Sequence, residues 1–499
     1  MAQVTLEATA SPAQALRATA RGGLLNLAGA VAAGAGGVVV TWLVASGLSP
    51  AAAGQFFAAT SAFLLAQAIA KLGTPTGLVY FVARARNENQ LGGLRGVLWA
   101  ALAPTMIISC VVSAAAFVGA DTLAELRPDT TETYVDLLRV LAVFLPPAVA
   151  IEALLAATRG FGRMRPGVVI DKIARTLAQL VLLAAVVWWH AGPLAVTIAW
   201  ALPYLPAAVA SAYALRRRYR MVATDEPPTW DVTATSFWWY TAPRAMAGVA
   251  QLALQRLDII LVAAMLGFAP AAAYTVATRF VAVGQLLSQA IGTAVQPRLA
   301  KSMSAGDHAT ARALYQATTA WIVLTTWPLY LIIALAAPWY LTVFGGHYVS
   351  DQSVAVVAVL ALGMLIATGC GVVDSVLVMA GRTGWQLYNV AIACVVNVGL
   401  DVWLIPRIGI LGAAIGWTAA IAVNNLIPLF QLATVFHLHP IGRSTVISMA
   451  LATVFCGLLP AVGLPFGDIA LAVGIGVGAL LYAASAWRAR NSLLTPVNA

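Results

Sequence analysis

Long apolar runs follow one another along the whole chain, separated by short clusters of glycine, proline or charged residues. The runs are about as long as the roughly 20 residues that a helix needs to cross a bilayer. The pattern predicts an all-α polytopic membrane protein of about 14 transmembrane helices, which we number spans 1 to 14. Their predicted centres lie near residues 34, 62, 107, 148, 179, 204, 253, 285, 325, 365, 395, 423, 453 and 476.

The arginines and lysines between the spans are distributed unequally over the two sides of the membrane. With fourteen spans, 21 of them fall on one side, and three, Arg127, Arg139 and Arg407, fall on the other. Because cytoplasmic loops carry the excess of basic residues, we predict that the richer side is cytoplasmic and that both termini lie on it. If one span were missing or added, all later loops would change sides and the asymmetry would be lost. The charges therefore support the span count independently of hydropathy.

Composition excludes a soluble protein. The chain is 61% hydrophobic and 9% charged, whereas a soluble domain is roughly a quarter charged. The loops are too short for a catalytic domain, and the sequence contains no P-loop and no spacing typical of metal ligands. We therefore predict a protein that is not an enzyme, with no metal site, no cofactor and no nucleic-acid partner.

Matching motifs recur about 220 residues apart. GLSPAAAGQ (47–55) resembles GFAPAAAYT (267–275), Gly162-Arg163 matches Gly381-Arg382, and GPLAVTIAW (192–200) matches GILGAAIGW (409–417). These matches, in order and at a nearly constant offset, predict two halves of six spans with the same orientation, as in parallel-repeat transporters. We expect two six-helix lobes, residues 1–220 and 221–440, around a central cleft, followed by spans 13 and 14 in residues 441–499.

The second half carries motifs of a known superfamily. Ala380-Gly-Arg-Thr-Gly-Trp, Asn397, Asp401 and the stretch from Pro406 to Gly416 (PRIGILGAAIG) resemble spans 11 and 12 of the polysaccharide flippases of the multidrug/oligosaccharidyl-lipid/polysaccharide exporter (MOP) superfamily. The span 8 pattern of the same proteins resembles Tyr274, Ala277 and Arg279 followed by Gln296-Pro297-Arg298. The resemblance covers nearly the whole chain in span number, repeat and motif order.

This resemblance implies a flippase of a bacterial inner membrane. Its substrate would be an undecaprenyl-diphosphate-linked oligosaccharide for exopolysaccharide or O-antigen (lipopolysaccharide) biosynthesis, and its partners would be membrane lipids, a polysaccharide polymerase and export machinery. Lipid II flippases share the span count and remain an alternative. Multidrug antiporters often place a carboxylate in span 1, but no Asp or Glu lies between Glu7 and Glu88 here. A membrane-embedded polymerase or glycosyltransferase would need a long external loop with catalytic residues.

Charged side chains inside a membrane are costly, so those within the spans are candidates for function. In span 7, Arg244, Gly248, Gln251, Gln255 and Asp258 step by 4, 3, 4 and 3 residues, which places them on one helical face. This face lines either a water-filled cleft that binds substrate or a hydrogen-bonded seam between helices.

Arg279 in span 8 and Asp258 in span 7 are predicted at similar depth. They form a buried ion pair in one interpretation, with Arg256 as a competing partner for Asp258. If Asp258 neutralises only one arginine, the remaining guanidinium can bind a diphosphate through bidentate hydrogen bonds. The alternative is a closed structural ion pair.

Further polar positions complete the candidate set. Gln285 and Gln289 in span 8 are suited to bind sugar hydroxyls. Lys71, at the predicted cytoplasmic end of span 2, either meets the diphosphate on entry or extends to the membrane surface.

Three carboxylates are candidates for coupling transport to protons or sodium. They are Asp258 together with Glu152 and Asp374, which lie near the predicted inner ends of spans 4 and 10. For the latter two, a surface ion pair with Arg159 or Arg382 is the alternative.

Overall fold

The computed structural model describes residues 12–88, 90–125, 132–222 and 234–494. Within these ranges the chain is helical and contains no β-strand, which confirms the all-α prediction. Arg127 and residues 223–233, which follow the predicted lobe boundary at residues 220 and 221, lie outside these ranges.

The first half consists of spans 1 to 6. Its helices are Pro12–Gly47 (span 1), Pro50–Ala70 and Thr74–Asn87 (span 2), Leu94–Val118 (span 3), Glu132–Gly160 (span 4), Gly167–Arg175 and Thr176–Trp188 (span 5), and Pro193–Ala201 and Tyr204–Val222 (span 6).

The second half consists of spans 7 to 12, and two further spans follow it. The helices are Ala234–Met265 (span 7), Phe268–Ala277 and Arg279–Ser304 (span 8), His308–Leu335 (span 9), Asp351–Gly369 and Val373–Met379 (span 10), Thr383–Ile408 (span 11), Ile410–Val435 (span 12), Arg443–Ala452, Thr453–Leu458 and Leu459–Ala461 (span 13), and Asp468–Leu494 (span 14).

Every predicted span centre falls within a helix, but spans 5 and 8 differ from the other twelve. In the described ranges, twelve helices are long and apolar enough to cross a membrane by length and composition. Span 5 is not among them because three charged residues, Asp171, Lys172 and Arg175, lie in its first, π-helical part. Span 8, whose helix breaks at Thr278, is not among them either, since its longer part, Arg279–Ser304, contains three glutamines and is less apolar. The count of fourteen crossings therefore stays a prediction.

The turns that separate the spans reflect their local sequence. The helix of span 2 starts with Pro50 in its first turn, and the Ser49 hydroxyl accepts a hydrogen bond from the Ala52 amide, a combination that favours a helix start. Gly162 and Gly381 have left-handed backbone conformations with φ of 76° and 77°. They occupy the turns after spans 4 and 10, so this motif match corresponds to the same local structure in each half.

The two halves meet at both ends of the membrane-spanning region. At the predicted outer end, Gly54 of span 2 lies so close to span 8 that an added Cβ would overlap with the Phe268 carbonyl oxygen. At the predicted cytoplasmic end, the rings of Tyr80 and Tyr240 stack with centroids 4.4 Å apart. Small residues permit such close helix approach, which drives packing where lipid replaces water. Between these two contacts lies the central cavity described below.

Candidate functional site

A cavity of about 170 Å³ lies between the two halves. Spans 1, 2, 5 and 6 of the first half and spans 7 and 8 of the second half contribute to its wall. The wall contains three guanidinium groups, those of Arg175, Arg256 and Arg279, and the hydroxyl-bearing residues Thr41, Thr60, Ser61, Thr176 and Thr275. The cavity therefore combines strong positive charge with neutral hydrogen-bonding groups.

Arg175 is held in place by its own span and by span 6. Its Nε donates to Asp171 Oδ1 at 2.7 Å, and its Nη1 donates to Gln179 Oε1 at 3.0 Å. The guanidinium carbon also lies 4.8 Å from the centroid of the Tyr204 ring, within the range of a cation–π interaction. The carboxylate of Asp171 therefore both orients the guanidinium group of Arg175 and neutralises its charge.

Arg256 and Arg279 have no acidic partner among the described residues. Arg279 Nε donates to the Thr275 carbonyl oxygen at 3.0 Å, and an Nη atom donates to the Thr278 hydroxyl at 3.2 Å. The Nε of Arg256 is buried without a hydrogen-bond partner. Since a buried, unpaired guanidinium is unfavourable, this pair is suited to receive an anion.

A second cavity of about 100 Å³ lies within the second half, and Arg256, Ile259 and Arg279 line both cavities. Its wall also includes Gln255, Gln285 and Asp258. The two arginines thus separate the central cavity from a region that contains a buried carboxylate.

Asp258 belongs to a buried oxygen cluster. Its Oδ2 accepts a hydrogen bond from the Tyr274 hydroxyl at 2.8 Å, and its carboxyl group lies within hydrogen-bonding reach of Asp401 in span 11. Asn397 Nδ2 donates to Asp401 Oδ2 at 3.2 Å. One oxygen on each of Asp258, Asp401 and Asn397 is buried and accepts no hydrogen bond.

Such oxygens are suited to hold a small cation. Two adjacent carboxylates repel each other unless a proton or cation lies between them. Oxygen-only donor sets suit hard metal cations. The cluster can therefore bind a proton or a sodium ion, with the side-chain oxygen of Asn397 as an uncharged ligand.

The predicted ion pair between Asp258 and Arg279 is wrong, and so is the pairing of Asp258 with Arg256. The helix of span 8 breaks at Thr278, so the Arg279 guanidinium folds back onto the preceding turn. Tyr274 occupies the position next to Asp258 instead. Asp258 and Arg279 therefore both line the second cavity without forming an ion pair.

Lys71 and Glu152 form an ion pair with each other. Lys71 Nζ lies 2.9 Å from Glu152 Oε2, and Gln67 Nε2 donates to Glu152 Oε1 at 3.2 Å. This contact links spans 2 and 4, so Glu152 pairs with Lys71 rather than with Arg159. The packing of span 2 onto span 4 brings these side chains together below the central cavity.

The remaining candidates lie away from the two cavities. Arg244 is exposed, with its guanidinium carbon 3.8 Å from the centroid of the Tyr240 ring. Gln251 is partly buried and Gln289 is exposed, and neither lines these cavities. Asp374 forms no ion pair with Arg382 in the described part of the chain, and its Oδ1 is buried without a hydrogen-bond partner. The predicted polar face of span 7 thus reaches the cavities only at Gln255 and Asp258.

Sequence reasoning missed Arg175 as a cavity residue and Asp401 as a partner of Asp258. The signal for Arg175 was its spacing, with Asp171 four residues before it and Gln179 four residues after it. Asn397 and Asp401 have the same four-residue spacing, which places both on one face of span 11. Their approach to span 7 depends on packing between helices.

Comparisons with known proteins agree with this architecture. The lipid II flippase MurJ, in an inward closed conformation, superimposes with a TM-score of 0.72 at 13% identity, covering 95% of this chain and 98% of that one. An inward-facing multidrug resistance MATE family transporter of the MOP superfamily gives a TM-score of 0.66 at 14% identity, covering 80% and 93%. These similarities show that the chain has the two-lobed fold of these two proteins.

Sequence comparisons assign the family. The probable low-salt glycan biosynthesis flippase Agl15 of Haloferax volcanii is 26% identical over 238 residues, so the match spans 45% of this chain and about half, 48%, of that relative. Residues 243–403 match the family described as MatE. Residues 20–303, more than half of the chain, match the family described as polysaccharide biosynthesis protein. The protein is a member of the polysaccharide biosynthesis protein family.

Proposed function

We propose that this protein is a flippase that moves an undecaprenyl-diphosphate-linked oligosaccharide across a bacterial inner membrane by alternating access. It would serve exopolysaccharide or O-antigen biosynthesis and deliver its product to a polymerase. The observation that carries this proposal is the central cavity, where Arg256 and Arg279 lack acidic partners and face Arg175 from the other half.

The diphosphate of the substrate fits this charge. Guanidinium groups bind phosphate oxygens through paired N–H donors, and these bonds strengthen where water is excluded. Because Arg175 belongs to span 5 and the other two arginines to spans 7 and 8, a bound diphosphate contacts both halves. Its release then accompanies their separation, which is the mechanical requirement of alternating access.

The oxygen cluster of Asp258, Asp401 and Asn397 supplies the coupling site in this proposal. It takes a proton or a sodium ion, and the second cavity connects it to the wall that bears Arg256 and Arg279. Binding of the cation changes the charge beside these arginines, so their affinity for a diphosphate depends on the state of the cluster. Transport is thereby linked to an ion gradient.

A lipid II flippase is the second candidate, favoured by the superposition with MurJ over 95% of this chain. Its substrate contains the same diphosphate and polyprenyl chain, so the arginines serve both proposals equally. The two substrates differ in their glycan. Proteoliposomes loaded with either lipid II or an undecaprenyl-diphosphate-linked oligosaccharide decide which substrate the protein transports.

The test of the site is substitution of its unpaired arginines. Arg256→Gln and Arg279→Gln should each lower the rate of oligosaccharide translocation by about tenfold or more, since a charge-assisted hydrogen bond contributes ~1.5–3 kcal/mol. Arg312→Gln is the matched control, because Arg312 is exposed at the start of span 9 and lines neither cavity. Normal translocation by a well-expressed double variant would refute the diphosphate site.

A further inference from the structure

An apolar groove of about 530 Å³ lies on the first half, away from the central cavity. Spans 3, 4 and 6 form it, with Leu98, Leu102, Met106, Leu154 and Leu215 among its lining residues. Trp99, at the same wall, has 65% of its side chain exposed. In a membrane-spanning protein, this outward-facing surface contacts lipid.

Two arginines lie at one end of the groove. Arg95 is in the first turn of span 3, and Arg216 lies near the end of span 6. Both are exposed, and neither forms an ion pair within the described ranges. This end is the predicted cytoplasmic one, so the two guanidinium groups lie at the depth of the lipid headgroups.

The length of the groove matches one leaflet. Arg95 and Met106 are eleven residues apart on one helix, which corresponds to about 16 Å at ~1.5 Å per residue. Half of a hydrocarbon core of about 30 Å is similar. Trp99 lies one helical turn deeper in the membrane than Arg95. Tryptophan favours this boundary between headgroups and acyl chains.

We propose that this groove binds an anionic phospholipid, such as phosphatidylglycerol, of the predicted cytoplasmic leaflet. The phosphate lies between Arg95 and Arg216, and one acyl chain lies along Leu102 and Met106. Basic pockets between transmembrane helices at this membrane surface recognise anionic headgroups in this way. An undecaprenyl carrier shares the phosphate, but its chain is much longer than a groove that ends within one leaflet.

Bound lipid would join spans 3 and 6, which are separated in sequence by spans 4 and 5. The site is therefore structural or regulatory, and it is independent of the arginines of the central cavity. Loss of the lipid site leaves the diphosphate site intact, so failure of this proposal is distinguishable from failure of the proposed function.

The experiment is native mass spectrometry and thermal unfolding of the purified full-length protein with phosphatidylglycerol, phosphatidylcholine or undecaprenyl diphosphate. We expect phosphatidylglycerol to bind and to raise the melting temperature, and phosphatidylcholine to do neither. Arg95→Gln and Arg216→Gln should each weaken phosphatidylglycerol binding by about fivefold at low salt. Arg217→Gln is the matched control, because this exposed neighbour does not line the groove.

A second variant tests the apolar part of the site while both charges stay in place. Ala212→Phe places a ring in the groove and should displace the acyl chain. Equal binding of phosphatidylcholine, binding that survives the Arg95→Gln/Arg216→Gln double variant, or displacement of phosphatidylglycerol by equimolar undecaprenyl diphosphate would each overturn the proposal.

Discussion

Asp401 provides a direct test of the buried oxygen cluster at the level of a single residue. Asp401→Asn keeps the shape of the side chain and removes one of two adjacent carboxylates, so the cluster no longer needs a cation to offset their repulsion. We expect translocation by this variant to lose its dependence on the proton or sodium gradient. Flux measurements in proteoliposomes with and without each gradient give the result.

The control for this prediction is Asp468→Asn. Asp468 is exposed in the first turn of span 14, so its substitution should leave ion dependence unchanged. If Asp401→Asn responds to the gradients as the natural protein does, the cluster is not the coupling site.

The ion pair of Lys71 and Glu152 leads to a prediction about stability. Both side chains are partly exposed, at 27% and 36%, so their coupling energy should be modest, about 0.5–1 kcal/mol. Lys71→Met or Glu152→Gln alone leaves one charge unpaired between spans 2 and 4, and the double variant removes both charges. Thermal unfolding should therefore show less destabilisation in the double variant than the two single losses combined. Strictly additive losses would contradict this.

The sequence indicates interior side chains where the membrane restricts the positions that a polar group can occupy. A polar side chain within a span cannot face lipid cheaply, which is why Arg256, Arg279 and Gln285 were predictable as interior groups. Their partners were not predictable, because hydropathy and helical periodicity describe one helix at a time. Asp258 meets Asp401 across two helices, and only packing of span 7 on span 11 brings them together.

At the level of helices, the close contact between spans 2 and 8 leaves no room for a side chain at Gly54. Gly54→Ala adds a Cβ that overlaps with the backbone of Phe268, so the predicted outer ends of the two halves must move apart. Overpacking of this kind costs about 1–3 kcal/mol. We expect a lower melting temperature and a longer distance between spin labels at residues 46 and 343.

The label positions follow from an existing contact between the halves, in which Trp42 Nε1 donates to the Val343 carbonyl oxygen at 2.9 Å. Gly399→Ala is the control, since a Cβ added there meets no atom within 4 Å. An unchanged distance in Gly54→Ala would show that span 8 can adjust locally.

Spans 5 and 8 show where hydropathy alone does not predict the backbone structure of a span. Apolar runs predicted the positions of the helices in spans 1 to 14 because backbone groups in lipid must bond within a helix. They did not predict the π-helical start of span 5 or the break in span 8 at Thr278. Both irregular segments place an arginine, Arg175 or Arg279, on the central cavity, and π-helical turns often occur at functional sites.

At the scale of the whole molecule, the crossing of span 5 and the orientation of the chain remain predictions that one labelling experiment can decide. Arg163 lies in the turn before span 5, and Gly192 lies in the turn after it, where an added Cβ meets no atom within 4 Å. In a background with the four natural cysteines replaced by serine, we would introduce Arg163→Cys or Gly192→Cys. Intact cells would then be treated with a membrane-impermeant maleimide.

If span 5 crosses the membrane and the basic side is cytoplasmic, Gly192→Cys is labelled in intact cells and Arg163→Cys only after permeabilisation. Labelling of both from one side means that span 5 does not cross, and the two halves then lose their common orientation. The reverse pattern places Lys71 and Glu152 toward the outside and contradicts the positive-inside assignment. The proposed direction of transport requires the diphosphate to enter from the cytoplasmic leaflet. It would then pass the Lys71–Glu152 pair and reach the three arginines, and only the expected labelling pattern is consistent with this route.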